Sequence, residues 1–272
     1  QDVLRWKRSI SHTKEYGKRK GNDGMRESDS ATLMTEGSIW KKITFFAVPI
    51  FLGNLFQQMY NTADSLIVGN FLGSNALAAV SSSGNLIYLM IGFFNGIALG
   101  AGVVIARYFG ARDQENVEKA VHTTVAFGIV ASIVLTIVGV FFAPQILVWM
   151  QTPANVMPES TEYFRVYFMG SAGFVMYNMF VGILQAVGDS KHPLYYLILS
   201  SIINVVLDIV FITVFDMGVG GAAFATDISQ VVSAVLCMIQ LMRSKAEYRL
   251  NLRKIRFEWD IFKQVIQFGL AS

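Results

Sequence analysis

Residues 51–73 read FLGNLFQQMYNTADSLIVGNFLG, and residues 196–215 read YLILSSIINVVLDIVFITVF. Both stretches suit a lipid bilayer, except that each holds one carboxylate, Asp64 in the first and Asp208 in the second. A charge near the bilayer centre costs about 2.5–3.5 kcal/mol on insertion scales. A chain that only had to sit in a membrane would gain by losing both. Carboxylates kept in such places are candidate sites for protons, metal ions or cationic ligands.

The rest of the chain agrees with a membrane setting. Of 272 residues, 53% are hydrophobic and 15% charged, against about 25% charged in a soluble domain. Mean hydropathy is +0.47. Six apolar segments, at 43–68, 77–106, 117–143, 163–187, 194–215 and 219–242, are long enough to cross about 30 Å at a rise of 1.5 Å per residue. A seventh begins near Ile261 and reaches the last residue, Ser272. The fold expected is an all-α membrane protein. It has a disordered basic tail over 1–38, a six-helix transmembrane bundle over 39–243, a basic loop over 244–260 and the start of a seventh helix over 261–272. Because that helix is cut short and the chain opens on Gln1, the sequence is expected to be the front half of a longer protein, with Met25 a candidate true start. Its first 38 residues lack the apolar core of a cleavable signal, so the first span must direct insertion. The lone cysteine, Cys237, cannot form an internal disulfide and reads as a small buried apolar residue.

Basic residues orient the bundle. Of the 22 Lys and Arg, ten lie at or before Lys42 and seven follow the sixth segment. Arg107, Arg112 and Lys119 flank the second connection and Lys191 lies in the fourth, whereas the connections at 69–76, 144–158 and 216–218 carry none. The positive-inside rule then places the N-terminus, the even connections and the 243–260 loop in the cytoplasm. The basic tail is read as topological, so no nucleic-acid partner is expected.

The polar residues inside the spans are patterned. Asn54, Gln57, Asn61 and Asp64 share one helical face, with Tyr60 beside them. Such a face must look onto other helices or a water-filled cavity. Asn204 and Asp208 stack one turn apart in the fifth segment, with Ser200 and Ser201 a turn earlier. Thr226, Asp227, Ser229 and Gln230 interrupt the sixth, after a run of small residues suited to close helix packing. On the expected topology Asp64, Asp208 and Thr226 all fall in the outer half of the membrane, which allows one shared site. Pro49, inside the first span, is expected to bend it. The histidines His12, His122 and His192 are scattered, and neither a P-loop nor a nucleophile elbow is present.

At this level of detail the chain resembles a known family. The run Pro49-Ile50-Phe51-Leu52-Gly53-Asn54, followed by Gln57, Tyr60-Asn61, Ala63-Asp64 and Val68-Gly69, is similar to the first helix of the MATE (multidrug and toxic compound extrusion) transporters. Leu184-Gln185-Ala186-Val187-Gly188-Asp189-Ser190-Lys191-His192-Pro193 resembles their fourth-to-fifth connection. Asn204-Val205-Val206-Leu207-Asp208, and Gly220 through Gln230, resemble their fifth and sixth helices. The likeness spans about residues 35–272.

The resemblance implies the N-terminal lobe of a twelve-helix, two-lobe antiporter in the cell membrane of a prokaryote, not an enzyme and monomeric when full length. A faint echo of residues 42–49 in 263–271 agrees with an internal repeat. Such proteins export organic cations or drugs in exchange for H⁺ or Na⁺ and need no other cofactor. Asp64 and Asp208 would be the coupling carboxylates and the candidate Na⁺ site, with Asn204 and Thr226 as cation or hydrogen-bond partners. Gln57, Tyr60, Asn61, Asn54 and Asn178 would line the substrate cavity, and Pro49 would mark the helix bend. Hard oxygen ligands suit H⁺ or Na⁺ equally, so the ion stays open. Two other readings remain. A flippase of the same superfamily, moving lipid-linked saccharides, would line its cavity with Arg and Lys, which the spans nearly lack. An intramembrane aspartyl protease would carry a Gly-x-Gly-Asp core, whereas the Gly-Asp here is Gly188-Asp189, in a turn.

Overall fold

The computed structural model describes residues 39–270, so the readings made for the 1–38 tail and for Met25 lie outside the described residues. The described chain is helical throughout: α1 (Ile39–Leu72), α2 (Ser74–Gly110), α3 (Gln114–Trp149), α4 (Met157–Met169), α5 (Ser171–Ala186), α6 (Lys191–Thr213), α7 (Gly218–Arg243), a 3₁₀ turn at Leu252–Lys254, and α8 (Trp259–Gly269). Reversals between long helices are tight. Gly73 alone separates α1 from α2, at a φ of 89° that only glycine adopts freely. Asp113 starts α3 by accepting from the Asn116 backbone N–H at 3.2 Å and from its side-chain amide at 2.6 Å. Those bonds hold its carboxyl below the usual carboxylate range.

Two findings modify the six-segment reading. The fourth segment, expected as one span over 163–187, is the pair α4–α5, bent by 48°. The break falls at Gly170, whose N–H is left 3.3 Å from the Val166 carbonyl. Second, α2, α3, α6 and α7 are each long and apolar enough to cross a membrane and the bent pair adds a fifth path, while α1, at 34 residues, has the length to cross and carries the amide stripe. The expected bend at Pro49 does not interrupt α1, which continues through the proline.

The bundle is apolar outside as well as inside. Phe45 and Phe141 are 70% and 75% exposed, and Phe51, Leu66, Leu89 and Ile133 are likewise open. An apolar surface of that extent belongs in lipid. One buried cluster joins α2, α3, α5, α7 and α8 around Phe174, Met179 and Ile183. A second joins α1, α2, α3, α4, α6 and α7 around Phe164 and Phe168, whose rings stack at 4.3 Å. All the connections that carry Lys or Arg fall at one end of the bundle, with the start of α1 and the end of α7.

At that basic end the 244–258 segment is tied down. His122 Nδ1 lies 2.7 Å from the Glu118 carbonyl, while the Asn251 N–H donates to His122 Nε2 at 3.2 Å. Lys254 Nζ reaches Glu118 at 2.9 Å, and the Glu258 N–H donates to Thr123 Oγ1 at 3.2 Å. This strap delivers α8 onto α2, where Gly269 comes against the backbone of Gly96 and Ile97.

Close helix approach depends on such small residues, because lipid-facing helices gain little from apolar burial and rely on packing contacts. At Gly182 of α5 an added Cβ would lie 2.6 Å from the Ala98 carbonyl oxygen of α2, whereas nothing lies within 4 Å of a Cβ at Gly92. Gly182→Ala is therefore expected to destabilise the bundle by about 1–3 kcal/mol, read as a lower melting temperature in detergent. Gly92→Ala should melt as the wild type does. Equal melting of the two variants would contradict this packing.

Candidate functional site

The polar groups of three helices meet toward the end opposite the basic one. By helical rise, Asp64 lies ~12 Å from the far end of α1, Asp208 ~8 Å from the end of α6, and Thr226 ~12 Å into α7. The side chains converge. Asp208 is 0% exposed, Asn204 1% and Asp64 8%, and Thr226 is buried with them. The Asp64 and Asp208 carboxyl groups lie close enough to be electrostatically coupled. Asn204, one turn before Asp208, donates its amide to Thr226 Oγ1 at 3.3 Å.

The oxygens of this group lack donors. Both carboxyl oxygens of Asp208, Oδ1 of Asp64 and Oδ1 of Asn204 are buried with no hydrogen-bond partner. Buried polar atoms in proteins are nearly always bonded, so four orphans in one place mark a site built for something further. Two carboxylates in contact in a low-dielectric setting cannot both stay ionised unless a cation joins them. The donors are oxygens only, from two carboxylates and an amide, which fits a proton or a small hard cation such as Na⁺. Among the described residues no cluster of three or more His, Cys, Asp or Glu forms.

A small cavity of about 20 Å³ is lined by Asn204, Ser200, Ser229, Gln230, Gln57, Tyr60 and Asn178, with apolar neighbours. It shares Gln57, Tyr177, Asn178 and Leu197 with a chamber of about 370 Å³ nearer the basic end, where Pro49 and Asn54 form part of the wall. Asn178, which borders both spaces, keeps its amide N–H₂ on the Phe174 carbonyl at 2.8 Å. Of the five residues expected to line the substrate cavity, Asn61 alone lines neither space, and the cluster residues Asp64, Asp208 and Thr226 border neither. Asn61 is exposed, with its amide 3.5 Å from Gln58 Oε1, because a ten-residue stripe on a straight helix drifts off any one neighbour.

Other residues of the site carried no assigned role in the sequence reading. Tyr163 of α4 lies buried within electrostatic range of Asp64, Asp208 and Asp227. Gln230 meets the hydroxyls of Tyr60 and Tyr167, joining α7 to α1 and α4. Asp227 fills the space beside the Gly170 break and reaches its backbone N–H. A polar cluster at 226–230 in an apolar run was the available signal for Gln230 and Asp227. Nothing of that kind distinguished Tyr163, because tyrosine at the edge of a span reads as an interface anchor.

Comparison with known proteins places this geometry. The family model MatE matches residues 49–210. The chain is 34% identical over 242 residues to the probable multidrug resistance protein YoeA of Bacillus subtilis, covering 86% of this chain and 52% of that protein. It is 23% identical over 238 residues to the multidrug export protein MepA of Staphylococcus saprophyticus, covering 87% and 52% respectively. Among solved structures, one described as MATE in the bent conformation superposes with a TM-score of 0.82 at 28% identity, over 90% of this chain and 55% of that one. The chain thus spans about half the length of the curated relatives it matches. With the family model matching more than half of its residues and a relative at 34% identity along most of its length, this multi-pass membrane protein belongs to the MatE family.

Proposed function

We propose that this chain is the first lobe of a two-lobe secondary antiporter that exports organic cations or drugs in exchange for H⁺ or Na⁺. The observation that carries the reading is the Asp64–Asp208 contact between α1 and α6, with its orphaned oxygens. In the charged state the pair repels and holds the two helices in one packing; a proton or Na⁺ neutralises it and permits another. Asn204, held by Thr226, presents its free carbonyl oxygen as a further ligand. An ion entering from the outside thereby favours the state that releases substrate there, and substrate loaded from the inside favours loss of the ion. The basic end is assigned to the cytoplasm of the cell membrane by the positive-inside rule, and the full-length protein is taken to be a monomer.

The flippase reading gains nothing from the site. Neither cavity has Lys or Arg in its wall, and Arg165 lies exposed on α4. For the protease reading, the Gly188-Asp189 turn is occupied structurally. Asp189 Oδ2 is 2.6 Å from His192 Nδ1, and its other oxygen accepts the His192 N–H at 3.2 Å, which starts α6.

Asp64→Asn in the complete transporter is expected to abolish efflux of a cationic dye from cells stripped of their own pumps, while the protein still reaches the membrane. Comparing efflux with and without Na⁺ identifies the ion. If Asp64→Asn exports at the normal rate, the coupling role is wrong. Asn204→Ala removes one uncharged ligand and the Thr226 contact, a loss of about 0.6–1.4 kcal/mol. Its apparent ion affinity should fall roughly three- to tenfold, with maximal efflux retained at saturating ion. Unchanged ion dependence would remove Asn204 from the site.

A further inference from the structure

We infer that the strap over 244–258, with the first turn of α8, is a docking surface for anionic phospholipid headgroups of the leaflet at the basic end. Depth points to this occupant first. The exposed apolar side chains of α3 run from Ile129 to Trp149, ~30 Å by helical rise, which is the thickness of the hydrocarbon layer. Three contacts gauge the strap against that scale. Lys254 Nζ bonds to Glu118, ~16 Å from Ile129 toward the basic end. The Glu258 N–H bonds to Thr123, ~9 Å from Ile129 in the same direction. The Phe262 ring lies 5.1 Å from that of Phe127, which is ~3 Å from Ile129. The polar layer on each side of the hydrocarbon is about 5–8 Å thick. Residues 254–262 therefore descend from water, through the headgroups, to the hydrocarbon edge.

The side chains along this descent match an anionic lipid surface. Residues 243–263 carry seven Lys or Arg and three Asp or Glu, a surplus of four positive charges. The acids are already answered by the protein: Glu258 by Arg256 Nε at 3.3 Å, Asp260 by Lys263 at 3.8 Å, and Glu247 by the Gln114 amide. Lys245 and Arg253 are exposed, and their side chains have no partner among the described residues. A guanidinium presents its donors in a fork that fits two phosphate oxygens. Beside these cations Leu252, Phe257 and Trp259 stand open, Trp259 at 60% exposure. The rings of Phe257, Trp259 and Phe262 lie 4.9, 5.6 and 5.9 Å apart. At the headgroup layer such rings take the acyl boundary while arginines reach out to the phosphates. Topology alone calls for basic residues anywhere in this connection. It requires neither a strap bonded to α3 at graded depth nor open aromatics among the arginines. A bound headgroup offsets the mutual repulsion of Arg249, Arg253, Lys254 and Arg256, and so steadies the segment that leads α7 into α8.

The test is native mass spectrometry of the complete purified transporter in detergent, titrated with a phosphatidylglycerol or with a phosphatidylcholine of the same acyl chains. Phosphatidylglycerol is expected to bind the more tightly. Arg253→Gln combined with Arg256→Gln should weaken it about tenfold or more, since each cation near an anionic lipid surface is worth roughly fivefold. Phosphatidylcholine binding, and the melting temperature in lipid-free detergent, should stay at the wild-type values. Arg112→Gln combined with Lys191→Gln removes the same charge from the same end of the bundle but outside the strap, and should leave phosphatidylglycerol within twofold of wild type. Trp259→Ala should weaken both lipids alike. Phosphatidylglycerol affinity within twofold of wild type in the strap double variant would overturn the inference. Equal losses in the two double variants would do so too, by showing attraction spread over the whole basic end. Displacement of the bound lipid by millimolar inorganic phosphate would also overturn it, in favour of a site for the free anion.

Discussion

Two carboxyl groups touching inside an apolar bundle constrain everything around them. The cost of burying each would be several kcal/mol if it stayed charged and unpaired, and no basic side chain on α1, α6 or α7 reaches them among the described residues. Stability alone would remove them. Their retention makes the packing of α1 against α6 depend on what else occupies the site, and that dependence is what a coupled transporter requires. The surroundings suit the role. α6 and α7 pack closely, so Asn204 and Thr226 form a fixed wall. α1 supplies the other acid from a helix packed along α6.

The helices on the far side of α7 show a different use of a carboxylate. Asp227 turns away from the pair and fills the space at Gly170, where α4 gives way to α5. Two turns earlier Gly220 faces Glu162, and one turn later Val231 packs on Gly173. This face of α7 therefore follows the bent pair along its length, and the bend is set by glycines that let one backbone approach another. Adjacent residues, Thr226 and Asp227, thus serve two different contacts because successive positions on a helix point about 100° apart.

Much of this was legible in the sequence, for identifiable reasons. Spans are visible because lipid demands long apolar runs, and Asp64, Asn204 and Asp208 stand out because any charge or amide within such a run is costly. The spacing of Asn204 and Asp208 already put them on one face, and the structure adds the Thr226 bond and the direct carboxyl contact. The break at Gly170 was hidden because a Gly-Ser-Ala-Gly run inside an apolar segment is as compatible with a straight packed helix as with a bent one; its cause is α7, distant in sequence. Asn61 was placed on the polar face by periodicity and on the cavity by the family resemblance, and periodicity fixes a face of a helix but not which neighbour covers each turn of it. Asn95 and Gln185 drew no role from the sequence because which faces of α2 and α5 meet α1 around one chamber is set by packing between helices distant in sequence.

The two cavities also bear on how exchange can be obligatory without a shared ligand. A transporter in which substrate and ion compete for one carboxylate must bind only what can neutralise it, so its substrates are limited to cations. Here the 370 Å³ chamber and the small cavity that Asn204 borders share Gln57 on α1 and Asn178 on α5. Gln57 is two turns from Asp64 on the same helix, so any movement of α1 that follows neutralisation of the pair must also move one wall of the chamber. On the antiport reading proposed above, coupling then travels along α1 itself, because the residue that carries the acid and the residue that borders the chamber belong to one helix.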